Sequence, residues 1–308
     1  MHVTAVGRSA GRTAIGAAAY RAGERLRDER SGTLYNYAER RDVLHSEIVL
    51  PSRFTGNEAD WARDRATLWN TAEYAEIRRD ARVAREYMLA LPHELSAAQR
   101  VALTRTLSKE LADRYGVAID AALHAPRAHG DPRNYHVHLL ATTREVTATG
   151  LGAKTGLDLN ERQRYERGLG NSSREFLVLR ERSATLINEA LQSANLEMRV
   201  DHRPLAAQGI DREPRVRLPW GAYLAEKRGL HSAIAERVRE KYRARAQARA
   251  QGPTRAAGPK ESSLEGIRRQ ARESWLRARV SPARGVEQGK EQGKEQGKEQ
   301  GSERDFAL

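Results

Sequence analysis

The sequence predicts an α+β fold: a central, mainly antiparallel sheet flanked by helices, with a basic helical to disordered C-terminal tail. Three observations predict it. Short runs rich in Val, Ile, Leu and Thr recur up to about residue 200, but helical stretches interrupt them, which is an α+β plan. Two such runs, Val117–His124 and Asn134–Arg144, are joined by a connection too short for a parallel crossover, so they pair antiparallel. From about residue 215 large apolar groups thin out and Ala, Arg, Glu and Lys take over, which leaves no core to build there.

The elements follow in order. His2–Val6 reads as a short strand beginning almost at Met1. Arg12–Arg25 reads as a helix, because the strongest helix former dominates Thr13–Ala22. Thr33–Tyr37 and Val43–Leu50 are short and extended, and Pro51 stops the second. Asn57–Arg82 has the apolar spacing of one long amphipathic helix carrying Trp61, Leu68, Trp69 and Ile77. Val83–Leu91 is a strand ended by Pro92. Ser96 to Gln99 is a capping box, Leu103, Leu107 and Leu111 recur at i+4, and Gly116 stops that helix. Gly150–Gly170 reads as a polar loop, too long for a connector and suited to a flap over a substrate. Arg174–Asn195 is helical, and Glu197–Asp201 reads as a last short strand. Ala222–Gln251 reads as a solvated helix, and residues 287–301 repeat Glu-Gln-Gly-Lys, a disordered composition. The expected organisation is therefore a domain over 1–215, a basic helical segment over 216–252 and a low-complexity tail over 253–308. That tail serves as an electrostatic arm, a protein-interaction segment or a mere solubiliser.

Composition narrows the function. The 308 residues carry 54 Lys and Arg against 41 Asp and Glu, a net charge of +13. Such a balance suits a polyanion, nucleic acid first and an anionic membrane surface second. The absence of Cys excludes disulfides, thiolate zinc sites and Cys nucleophiles together. No run of about 18 apolar residues and no secretory h-region occurs, so no membrane insertion and a cytoplasmic location are expected.

The chemistry concentrates in Asn134-Tyr-His-Val-His-Leu-Leu-Ala-Thr-Thr-Arg144. Side chains alternate along a strand, so His136 and His138 share a face, roughly 7 Å apart along the backbone. The short return from Val117–His124 brings His124 beside them. Three imidazoles with an open side describe a catalytic metal site better than a closed structural one. Ligand chemistry alone leaves Mg²⁺, Mn²⁺, Zn²⁺ and Ni²⁺ open. His129, next to Gly-Asp-Pro, is a turn residue and a weaker candidate.

With no Cys and no Gly-x-Ser-x-Gly elbow, Tyr20 is the best nucleophile candidate. Its neighbours in Ala17-Ala-Ala-Tyr-Arg21 are small, and Arg21 places a cation beside it. An ordinary phenol has a pKa near 10, so ionising one at pH 7 costs about 4 kcal/mol, which a metal, cation or base offsets. Tyr35 and Tyr37 are rivals on an extended, hairpin-like stretch. Glu86 shares a strand face with Met88 and Ala90, and a carboxylate there needs a partner. General base, fourth metal ligand and orienter of a ligand His are all open for it, with Glu47 a weaker choice.

The ordered blocks resemble one family. They are Gly11-Arg-Thr-Ala-Ile-Gly-Ala-Ala-Ala-Tyr-Arg-Ala-Gly-Glu24, Asp28-Glu-Arg30, Val43-Leu-His-Ser-Glu-Ile48, Asp64-Arg-Ala-Thr-Leu-Trp-Asn70, Ala84-Arg-Glu-Tyr-Met-Leu-Ala-Leu-Pro-His-Glu-Leu95 and Gly130 through Arg144. Together, over roughly residues 1–215, they resemble the MobA/MobL-type plasmid mobilisation relaxases of the His-hydrophobic-His endonuclease superfamily. Two departures stand out: Tyr135 occupies a position where Pro is common, and Pro214–Pro219 lacks a His-x-Gly-Pro. The resemblance implies a relaxase/replication-initiator-like fold and a nickase acting on single-stranded DNA at a transfer origin. It implies Tyr20 as nucleophile, His124, His136 and His138 as metal ligands, Glu86 as the acidic residue, and Mg²⁺ or Mn²⁺ as the usual metal. It also implies relaxosome accessory proteins and a coupling protein as partners. A rolling-circle replication initiator, a non-catalytic basic DNA-binding protein and a water-using phosphohydrolase are the alternatives.

Overall fold

The computed structural model describes residues 1–250 apart from His129, residues 212–215 and Arg217. The expectations for His129 and for residues 253–308 lie outside the described residues. The chain divides into a unit spanning Met1–Pro214 and a second beginning at Arg215.

In chain order the strands are β1 (His2–Gly7), β2 (Arg25–Arg27), β3 (Leu34–Asn36), β4 (Val43–Val49), β5 (Arg82–Ala90), β6 (Ile119–His124), β7 (His136–Thr142), β8 (Arg144–Val146) and β9 (Leu151–Lys154). Five of them form one sheet, ordered β1-β5-β7-β6-β4, and every pairing in it is antiparallel. The α+β architecture expected from the sequence is thus the one observed. The helices of the first unit are α1 (Ala14–Ala22), α2 (Arg65–Ala75), α3 (Ala97–Tyr115), α4 (Glu161–Glu166) and α5 (Ser172–Ser193).

Strand alternation sends side chains to two covered faces. Tyr87, Leu89, Val137, Leu139, Ile119 and Leu123 pack under α3 and α5. Ala84, Ala118 and Leu140 pack under α1 and α2, with Ile15, Leu68 and Trp69 fully buried among them. Burying each such large side chain contributes about 1.5–3 kcal/mol.

Helix α1 is fixed at both ends. The Thr13 side chain accepts the Gly16 N–H. Glu73 on α2, fully buried, accepts the Ala14 N–H at 2.6 Å, so a carboxylate sits where the helix dipole is positive. Arg8 pairs with the same carboxylate at 2.7 Å. Gly23 then adopts φ +68°, a left-handed cap that other residues rarely tolerate, and β2 follows. Helix α1 therefore stops at Ala22, short of the expected Arg25.

Three other expectations are corrected. The long helix over 57–82 is a 3₁₀ turn at Asp60–Arg63 followed by α2, because the Asp64 side chain caps Thr67 N–H and starts a new helix. Ile77, expected on its apolar face, is 96% exposed in the turn before β5. The segment 150–170 is not a structureless flap. It holds β9, a 3₁₀ turn and α4, organised by buried Arg164, which donates to the carbonyls of Gly156 and Gly170. No strand forms at 197–201: both backbone polar groups of Val200 bond the Asn188 side chain on α5 instead of a neighbouring strand.

In the second unit, α6 (Trp220–Lys227) and α7 (Ala233–Ala250) stand where one helix was expected. An ion pair of 2.6 Å between Arg239 and Glu226 links them.

Candidate metal centre and nucleophile

Strand register gathers the histidines. β6 and β7 are neighbours, and His124 lies directly opposite His136, while His138 faces Ala122. All three side chains fall on the α1 face. Their ring centroids are 4.7–5.4 Å apart, and one ligand nitrogen from each lies within 4.8 Å of the others. His124 is buried; His136 and His138 are partly open.

Each ring is pinned through one nitrogen by a group that can only accept. His124 Nε2 meets the Arg21 carbonyl at 2.7 Å, His136 Nδ1 meets the Asn134 carbonyl at 2.9 Å, and His138 Nδ1 meets Glu86 Oε1 at 2.6 Å. Those nitrogens therefore carry the proton, and the opposite nitrogen of each ring keeps a lone pair. Burial pushes His124 down to about 4 and also lowers His136, so both are neutral at pH 7. Three imidazoles with oriented lone pairs fit a divalent cation.

Glu86 sits on β5, the other neighbour of β7, two residues from Met88, which lies opposite His138. Burial alone would raise its carboxyl. Hydrogen bonds from His138 and Arg21 outweigh that and hold it far below the usual carboxylate range. Its partners are thus a ring of the cluster, a guanidinium on α1 and, at 3.3 Å, the Thr4 hydroxyl on β1. Glu47 points elsewhere, pairing with Arg105 of α3 and with His45.

Tyr20 lies near the end of α1 and is 37% exposed. The next residue, Arg21, bonds both His124 and Glu86, so α1 is tied to the cluster one residue from the phenol. Tyr37 meets the Tyr20 ring edge-on at 5.2 Å. Tyr35 accepts a hydrogen bond from the Thr13 hydroxyl. Gly16, Thr13, Tyr35, Tyr37 and Tyr20 line an open cleft of about 420 Å³ together with Arg12.

Sequence reasoning missed two residues here. Arg40 lies over the Tyr20 ring, and Asp42 lies 4.0 Å from His124 Nδ1. The only local signal was a carboxylate just before a strand.

An α+β sheet presenting three imidazoles beside a helix-borne tyrosine defines a class of candidate metal-dependent centres. Comparison narrows the class. The model of the MobA/MobL family matches residues 12–228. Mobilization protein MobL of Acidithiobacillus ferridurans is 39% identical over 246 residues, which cover 72% of this chain and 62% of that protein. Conjugal transfer protein TraA of Rhizobium radiobacter is 31% identical over 257 residues, 76% of this chain but 22% of that protein. A chain solved in work on the molecular basis of vancomycin resistance transfer in Staphylococcus aureus shares the fold, with TM-score 0.53 and 23% identity over 66% of this chain and 97% of that one. The chain belongs to the MobA/MobL family, and it spans less than two thirds of the length of these two sequence relatives. Among the described residues no helix is long and apolar enough to cross a membrane.

Proposed function

We propose that the protein is a relaxase that nicks and reseals single-stranded DNA at a plasmid transfer origin. The observation that carries the reading is the bond between the Arg21 carbonyl and His124, which couples the tyrosine helix to the three-imidazole cluster. Relatives named for mobilization and conjugal transfer support it.

In this reading His124, His136 and His138 hold a divalent cation, Mg²⁺ or Mn²⁺ first and Zn²⁺ or Ni²⁺ next. Such a cation, when bound, supplies Lewis-acid polarisation of the scissile phosphate. The chain's own residues do the rest. Glu86 accepts the His138 Nδ1 proton and keeps the opposite nitrogen aimed outward, and Arg21 keeps Glu86 ionised. Tyr20 Oη attacks phosphorus, the bond from phosphorus to the 3′-oxygen breaks, and the phenol proton is balanced by one taken up at that oxygen. The products are a 5′-phosphotyrosyl ester and a free 3′-hydroxyl, and reversal reseals the strand without ATP. Basic side chains grip phosphates, so binding weakens steeply with salt. The domain over 1–215 carries the chemistry in the cytoplasm, with relaxosome accessory proteins and a coupling protein as partners.

The test incubates the protein with labelled origin oligonucleotides, with metal or chelator. A denaturation-resistant adduct should form with metal and vanish in Tyr20→Phe. Strand cleavage that persists in Tyr20→Phe would point to water as nucleophile and contradict the reading.

A further inference from the structure

A second charged pair lies between the phenol and the imidazoles, and the mechanism above gives it no task. Arg40 and Asp42 come just before β4. The Arg40 guanidinium carbon is 4.0 Å from the centroid of the Tyr20 ring. Its Nη1 donates to the Tyr20 carbonyl at 2.6 Å. Its Nε and Nη2 donate to the two oxygens of Asp42 at 2.8 and 2.5 Å, a two-pronged pair. Asp42 is in turn fixed against β6. Its carbonyl accepts the Ala125 N–H at 2.8 Å, and Oδ2 lies 4.0 Å from His124 Nδ1. The contacts run from the Tyr20 ring through Arg40 to Asp42, which its backbone bond to Ala125 holds beside His124.

This chain of contacts answers a physical problem. A phenol that is 37% exposed at the end of a helix is free to change rotamer. In-line attack needs it held near one geometry, which is where much of a rate enhancement originates. Arg40 is suited to the holding. Its fork is planar and always charged, and it stacks on an aromatic face while it hydrogen-bonds at its edge. Burial opposes its charge, but the hydrogen bond to Asp42 and the Tyr20 hydroxyl outweigh that.

We propose that Arg40, braced by Asp42, is a positioning residue that fixes the Tyr20 ring relative to the imidazole cluster. The proposal rests on Tyr20 being the nucleophile, and it moves no proton, because Arg40 stays charged throughout. A lysine could keep the charge but not grip the carboxylate with two prongs, the ring face and the carbonyl together.

The test uses the full chain with 3-fluorotyrosine placed at position 20, read in two ways. The first is the ¹⁹F spectrum of the metal-free protein. The wild type should give one narrow line, which Arg40→Ala and Asp42→Asn broaden or split, with Arg40→Lys between them. The second is adduct formation at saturating oligonucleotide. Arg40→Ala should slow it about 10- to 100-fold while oligonucleotide affinity stays unchanged, and Arg40→Lys should recover part of the loss. An unchanged ¹⁹F line overturns the proposal. So does a loss of affinity with the saturated rate intact, which would make Arg40 a phosphate-binding residue. If the wild type forms no adduct, the relaxase reading fails, and the ¹⁹F spectra alone decide whether Arg40 holds Tyr20.

Discussion

The two faces of the sheet come from the same strands and differ by one residue of alternation. On β5, Tyr87 and Leu89 turn toward α3 and α5, while Glu86 and Met88 turn toward α1. The α3/α5 face is apolar at Ile119, Leu123, Val137 and Leu139, which are at most 2% exposed, and at Arg85 it buries a charge paired with Asp158 at 2.6 Å. The α1/α2 face is graded. It begins apolar at Ala84, Ala118 and Leu140, turns ionic at Asp120, where Arg65 pairs at 2.9 Å, and ends in three imidazoles. Both faces carry an apolar core, but only on the α1/α2 side does that core run into the three imidazoles and the polar groups that partner them. A one-residue register slip would exchange the two sets, so the core that fixes register also fixes the site.

That contrast can be broken from either side. The largest effect is expected on the apolar face. Leu139→Ala should cost about 2–5 kcal/mol of unfolding free energy in denaturant titration, with metal affinity of the folded protein unchanged. Next is Glu86→Ala, which leaves His138 unoriented and Arg21 unpaired. Calorimetric titration should show metal affinity falling about 10- to 100-fold, although no ligand has been removed. Glu86→Gln should fall less.

Acid should then expose the cost of burying His124. Burial pushes its pKa down to about 4 from an ordinary value of 6.5, so between these values the unfolded chain takes up a proton and the folded chain does not. Stability of the metal-free protein is therefore complete above about pH 6.5 and falls as pH drops toward 4, by on the order of 3 kcal/mol. Thermal melts across that window should be flatter for His124→Gln than for wild type. The smallest effect is expected from Thr13→Ala, which removes the α1 cap for about 1 kcal/mol. A clear loss of adduct-forming rate in that variant would show that α1 must be rigid to present Tyr20.

Much of this was legible in the sequence where the signal is local. Period-two alternation puts His136 and His138 on one face of their strand and Glu86 with Met88 and Ala90 on one face of another, and the short return from His124 brings the third ring beside the first two. The strands over 43–50, 83–91 and 117–124 are found within about two residues at each end. What was not legible depends on contacts between distant segments. The 57–82 periodicity hid a helix restart, because Asp64 reads as one more charged residue until its side chain caps Thr67. Val200 has strand character by type, but Asn188 takes its hydrogen bonds. Nothing in the sequence singled out Arg40 and Asp42, and only the packing of the β2–β3 hairpin and the start of β4 against α1 brings them to Tyr20 and His124.

The central claim is that the three imidazoles, drawn from two strands, act as one cation site. Pulsed electron paramagnetic resonance on the Mn²⁺-loaded full chain tests it most directly, by counting coupled nitrogens. One Mn²⁺ per chain should couple to three imidazole nitrogens, with one coupling lost in His136→Ala. A Mn²⁺ signal with oxygen ligands alone, or one unchanged in His136→Ala, would contradict it.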